Sequence, residues 1–66
     1  MKKPLTKPTV KLVGEDGNAF SIMGRVKQAL KRAGADKEYI DEYLKEATVA
    51  DYSYLLTVSM EYVNVE

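Results

Sequence analysis

Apolar residues fall along this chain with two different periods, and the switch between them predicts where its elements lie. In Thr9-Val10-Lys11-Leu12-Val13, Val10 and Leu12 alternate with polar neighbours and the β-branched content suits extended backbone, so a strand is expected over 9–13. Pro8 reinforces that start by biasing Lys7 toward extended geometry. Gly14 and Gly17 then bracket Glu15 and Asp16, which is turn chemistry. Beyond it Ala19, Ile22, Met23, Val26, Ala29, Leu30 and Ala33 recur at three- and four-residue steps, the helical period. A hairpin centred on Asp16-Gly17 is the competing reading, since Ala19-Phe20-Ser21-Ile22 also alternates. The longer window favours a helix over about 18–33. Asn18 or Asp16 can cap it, Glu15 and Asp16 suit the positive end of its dipole, Lys31 and Arg32 suit the negative end, and Gly34 stops it.

Asp36 is a natural cap for a second helix reaching about Ala47, with Ile40, Tyr43, Leu44 and Ala47 as its apolar stripe and Tyr39 at the border. A connection of only two or three residues through Gly34 and Ala35 makes the pair a helical hairpin. The last third reads both ways. Asp51 caps a third helix in which Tyr52, Leu55, Leu56 and Ser59 or Met60 fit the helical period, yet Thr57-Val58-Ser59-Met60-Glu61-Tyr62 alternates strictly. A short helix over 51–60 followed by a strand over 62–65 is expected, and that strand is placed to pair with residues 9–13. The result is a small, helix-dominated α+β domain over 9–66, in the order β-α-α-α-β with two short terminal strands. A flexible basic tail over 1–8, with two prolines and three lysines, precedes it.

Composition narrows the chemistry. The chain has 66 residues, no cysteine and no histidine. Disulfides, Cys/His metal sites and the usual nucleophile–base pairs are excluded, and so small a domain has a marginal core. No apolar run reaches the ~18 residues that span a bilayer, and the first eight residues lack the apolar stretch of a signal peptide, so a soluble cytoplasmic protein is expected. Glu15 and Asp16 lack the spaced ligand series of a calcium loop. They also place carboxylates where a phosphate cradle or a nucleic-acid-clamping G-x-x-G loop needs bare amides. Five tyrosines (39, 43, 52, 54, 62) against one phenylalanine suit a half-wet core margin or a contact surface. Gly24, inside a helix, suggests close approach of another backbone, within the fold or across a dimer.

Formal net charge is zero, but it is divided along the chain. Residues 1–34 hold eight Lys or Arg and two acids, which gives +6; residues 35–66 hold two Lys and eight acids, which gives −6. Compensation between two packed halves explains this division, and a basic surface for a polyanion is the sharper alternative. Lys2, Lys3, Lys7, Arg25, Lys31 and Arg32, with Lys27 nearby, are the candidate polyanion contacts. No catalytic, cofactor-binding or metal-binding residue is assigned.

The run from Val10 to Phe20, continued by Met23-Gly24-Arg25-Val26 and Ala29-Leu30-Lys31-Arg32-Ala33-Gly34, resembles small bacterial proteins often encoded on phages, plasmids and conjugative elements. Asp51-Tyr52, Leu55 and Glu61-Tyr62-Val63 extend the resemblance to about residues 9–65. It implies an accessory protein of bacterial or phage origin, assigns no site residue and carries no established activity. The expected function is a non-enzymatic interaction module that binds itself or a protein partner, motivated by exposed strand edges and tyrosines. The alternative is a nucleic-acid-binding accessory protein that uses the basic tail and helix face.

Overall fold

In a computed structural model, residues 4, 6–12, 17–49 and 51–66 are described. The elements are β1 (Thr9–Val10), α1 (Ala19–Arg32), α2 (Lys37–Thr48), α3 (Tyr52–Tyr62) and β2 (Asn64–Val65). The expected order β-α-α-α-β therefore holds, and the fold is α+β and helix-dominated. The three helices pack on one another in every pairing, while β1 lies against α1 and β2 against α3.

Each helix starts where a short polar side chain can satisfy an amide left open by the first turn. Asn18 Oδ1 accepts from the Phe20 N–H at 2.9 Å, Asp36 Oδ1 from the Tyr39 N–H at 2.9 Å, and Asp51 Oδ1 from the Tyr54 N–H at 2.8 Å. Asn18, rather than Asp16, caps α1, and a helix beginning at Ala19 removes the hairpin alternative. Val13, Gly14, Glu15 and Asp16, the turn expected between strand and helix, lie outside the described residues. Helix α1 ends in a Schellman motif: Gly34 takes φ +96°, its N–H donates to the Lys31 carbonyl at 3.1 Å, and the Ala35 N–H donates to the Leu30 carbonyl at 3.0 Å. The two residues that close it, Leu30 and Ala35, are both buried.

The core is formed by Ile22, Val26 and Leu30 of α1, Ile40, Tyr43 and Ala47 of α2, and Leu55 and Val58 of α3, with Val10 and Val63 from the chain ends. The stripes read for α1 and α2 are the buried faces. In α3 the inward face differs from expectation. Leu55, Val58 and Ser59 are buried, whereas Tyr52 and Met60 are 51% and 58% exposed. Helix α3 also runs on to Tyr62, so the terminal strand shortens to Asn64–Val65. The strict alternation of 57–62 is thus accommodated on a helix, because Leu55, Val58, Ser59 and Tyr62 share a face at three- and four-residue steps. Ser59 is the buried polar residue that this face requires a partner for, and its hydroxyl bonds the Tyr43 hydroxyl at 2.8 Å. Leaving either group alone costs about 1–3 kcal/mol, so the pair fixes how α2 and α3 face each other.

Strands β1 and β2 pair in parallel, Thr9 opposite Asn64 and Val10 opposite Val65. The Asn64 N–H donates to the Pro8 carbonyl and the Glu66 N–H to the Val10 carbonyl, both at 2.8 Å, and the Leu12 N–H donates to the Glu66 carbonyl at 2.9 Å. Val10 and Val65 face the helices, while Thr9 and Asn64 lie on the outer, exposed face.

Gly24 corrects the expectation of close approach within the fold. It is exposed, and a Cβ built on it meets nothing within 4 Å among the described residues. Gly24→Ala therefore raises stability by about 0.5–1 kcal/mol by reducing the freedom of the unfolded chain. Gly34→Ala lowers it by about 1–2 kcal/mol, because alanine is strained at φ +96°. Urea unfolding of the two variants should move the midpoint in opposite directions; shifts of the same sign contradict this reading of the two glycines.

Candidate functional site

The parallel register gives β1 two unlike edges. Backbone groups of Pro8, Val10 and Leu12 point to β2, so by alternation those of Thr9 and Lys11 point the other way. Among the described residues, nothing hydrogen-bonds the Thr9 or Lys11 backbone. That edge looks onto a groove of about 260 Å³ between β1 and α1, lined by Thr9, Val10, Lys11, Arg25, Gln28, Ala29 and Arg32. Arg25, Gln28, Ala29 and Arg32 share one helical face at steps of three and four, the side of α1 next to the strand. None of the described residues lining the groove is acidic. It combines open backbone donors and acceptors, two guanidinium groups, one ammonium group and a small alanine on its floor.

The candidate cations read from sequence are brought together only in part. Arg25 and Arg32 share this groove. Lys31 lines a different one, of about 350 Å³, with Lys27, Ala35, Lys37, Ile40 and Asp41 between α1 and α2. Lys7 lies beside Pro4, Tyr39, Glu61 and Tyr62. Lys2 and Lys3 lie outside the described residues. Sequence reasoning missed Lys11 and Gln28. Lys11 counted only as the polar half of an alternating strand, but that same alternation already turned its backbone away from any partner paired at Val10.

Two other places compete as sites. An apolar hollow of about 260 Å³ is lined by Leu12, Gly17, Ile22, Tyr52, Leu56, Met60 and Val65, and it offers little that would orient a ligand. The other is a tyrosine cluster. Tyr62 meets the rings of Tyr39 and Tyr43 edge-on at centroid distances of 5.4 and 5.1 Å, and its hydroxyl donates to Glu46 Oε2 at 3.1 Å. Burial pushes the Tyr62 phenol well above its ordinary value, and the bond to Glu46 and the negative charges of Glu46 and Glu42 push the same way. Burial also raises Tyr43, against the opposing effect of its bond to Ser59. Both phenols therefore hold their protons at neutral pH, which suits a packed joint between α2 and α3 and not acid–base chemistry.

Among the described residues no three acids converge as ligands for a metal ion, and no helix is long and apolar enough to cross a membrane. Compared with protein-family models, curated proteins and solved structures, the chain matches none.

The tyrosine joint carries a pH signature. Phenols raised in the folded state stabilise the fold fully below the unfolded value of about 10, and that stability is lost as pH rises toward the folded values. Ultraviolet titration should show two of the five tyrosines ionising later than the rest, together with alkaline unfolding that Tyr62→Phe defers. Five phenols titrating as one ordinary group contradict the joint.

Proposed function

We propose that the chain is a cytoplasmic, non-enzymatic protein-interaction module that takes an extended segment of a partner along the open edge of β1. The observation that carries this reading is a pair of backbone positions, Thr9 and Lys11, that no described residue hydrogen-bonds and that face a groove backed by α1. A two-stranded sheet is the least a sheet can be, and an added strand satisfies the edge while extending the layer over α1. The groove is open and slightly smaller than the ~300–1,000 Å³ of small-molecule pockets, which favours a strand laid along it over an engulfed ligand. Self-pairing through this edge is disfavoured, since two copies of β1 set Lys11, Arg25 and Arg32 against the same cations. The resemblance to proteins of phages, plasmids and conjugative elements supports an accessory role of this kind.

Nucleic-acid binding has weaker support. Lys7 and Lys31 lie away from Arg25 and Arg32, and the groove holding Lys31 also holds Asp41. Phosphates can only accept, so they leave the Thr9 and Lys11 carbonyls without a partner.

A photo-crosslinking residue at Gln28 tests the reading in cells of the source organism. The expected result is a discrete protein adduct, absent when the crosslinker replaces Lys45 on the exposed side of α2. An adduct with nucleic acid, an adduct of two copies of the chain, or no adduct overturns it.

A further inference from the structure

We propose that the exposed face of α3 joins two copies of this chain into a dimer, with the two α3 helices antiparallel across a two-fold axis. Charged residues make up 30% of the chain, yet none falls between Tyr52 and Met60. The fold does not enclose that run: Tyr52, Ser53, Thr57 and Met60 are exposed, and Leu56 is half-buried. A helix without a charged face is ordinarily buried, so α3 is a helix with one side still to be covered. Tyrosine and methionine standing where a solvated face carries lysine and glutamate is the composition of the centre of a protein–protein contact.

The face has the shape for helix packing. Tyr52, Leu56 and Met60 follow at four-residue steps and form a ridge, with the smaller Ser53 and Thr57 as a lower row beside it. In an antiparallel pair centred on Leu56, Tyr52 of one copy meets Met60 of the other, and the contact is made twice. A thioether suits the edge of an aromatic ring, and its rotatable bonds let it reach into an irregular space. That space is the hollow of about 260 Å³ that the same ridge lines together with Leu12, Ile22 and Val65. The Thr57 hydroxyl already bonds the Ser53 carbonyl of its own helix at 3.4 Å, so covering it strands no donor. Antiparallel helices also oppose their dipoles.

Charge and area both select a second copy as the occupant. A surface bearing lysines or acids would bury them against a face that offers no counter-charge, which is unfavourable. Helix α1 from position 25 and helix α2 over 37–46 show a charge on each exposed turn, whereas α3 offers itself an uncharged surface. The exposed parts of Tyr52, Ser53, Leu56, Thr57, Met60 and Val65 come to roughly 400 Å² per copy. With their rim, two copies cover on the order of 1,000 Å², the lower end for a specific interface, so the dimer is reversible and half-formed at roughly 10–100 μM. None of these six residues lines the groove beside β1, so this inference and the strand-addition reading stand or fall separately.

Sedimentation of the whole chain between about 1 μM and 1 mM tests this, and a monomer–dimer equilibrium is expected. Met60→Glu and, independently, Ser53→Lys should each raise the dissociation constant about tenfold or more without lowering the melting temperature of the monomer, since both positions are exposed. Phe20→Ser, at an exposed apolar position on α1, should leave it unchanged. Raising salt from about 0.05 to 0.5 M should leave the dimer intact or tighten it. The chain has no cysteine, so an added one reports alone: oxidising a mixture of Tyr52→Cys and Met60→Cys should give the mixed dimer faster than either variant links to itself. A monomer at every concentration, a dimer that survives both charged variants, or one lost on Phe20→Ser overturns the inference. So does a dimer that dissolves in salt, as pairing between the basic half of one copy and the acidic half of another would. Self-linking of either cysteine variant ahead of the mixed dimer overturns the antiparallel arrangement.

Discussion

The two ends of this chain lie side by side and run in the same direction, and the rest of the structure is arranged around that pairing. Parallel strands cannot be joined by a tight turn, so the whole helical segment serves as the crossover between them. The backbone bonds that tie Pro8, Val10 and Leu12 to Asn64 and Glu66 can form only once the helices have brought both ends to one place. Val10 in β1 and Val63 just before β2, both buried, fasten the sheet to the core at either strand. Because pairing uses one edge of β1, the other edge has no backbone partner among the described residues, and its position over α1 is set by the same contacts.

Helix α1 consequently has two tasks. Ile22, Val26 and Leu30 make it a wall of the core, and Arg25, Gln28, Ala29 and Arg32 make it the floor of the groove. Its orientation depends on the joint between the other two helices, where the Tyr43–Ser59 bond and the edge-on contacts of Tyr62 hold α2 against α3. Each hydroxyl there reaches sixteen residues along the chain to its partner. The acidic half of the sequence supplies Glu46 to this joint, so part of the charge division serves internal packing and not an external ligand.

The helices were legible in the sequence because their signals are local. Asn18, Asp36 and Asp51 stand at the caps, Gly34 at the stop, and the apolar stripes of α1 and α2 repeat at steps that no strand could bury on one side. The inward face of α3 was harder to read, because its buried polar residue, Ser59, becomes an inward residue only through Tyr43 on another helix. Within the fold Gly24 misled for the reverse reason: a costly residue in a helix suggested a neighbour in the same chain, and none stands there among the described residues. The groove was only half legible. The spacing of Arg25 and Arg32 placed them on one face, but only the register of a pairing between distant chain ends reveals which edge of β1 they face. Lys31 differs from Arg32 by one position, about 100° of helical turn, and that is enough to carry it to another side of the molecule.

Amide hydrogen exchange, resolved residue by residue across positions 9–12, is the most direct test that β1 is bonded on one side and open on the other. The register predicts slow exchange at Val10 and Leu12, whose N–H groups point to β2, and fast exchange at Thr9 and Lys11, whose N–H groups face the groove. Protection of all four amides would mean that the edge is already covered in the free protein. Rapid exchange at all four would mean that the two ends of the chain do not pair.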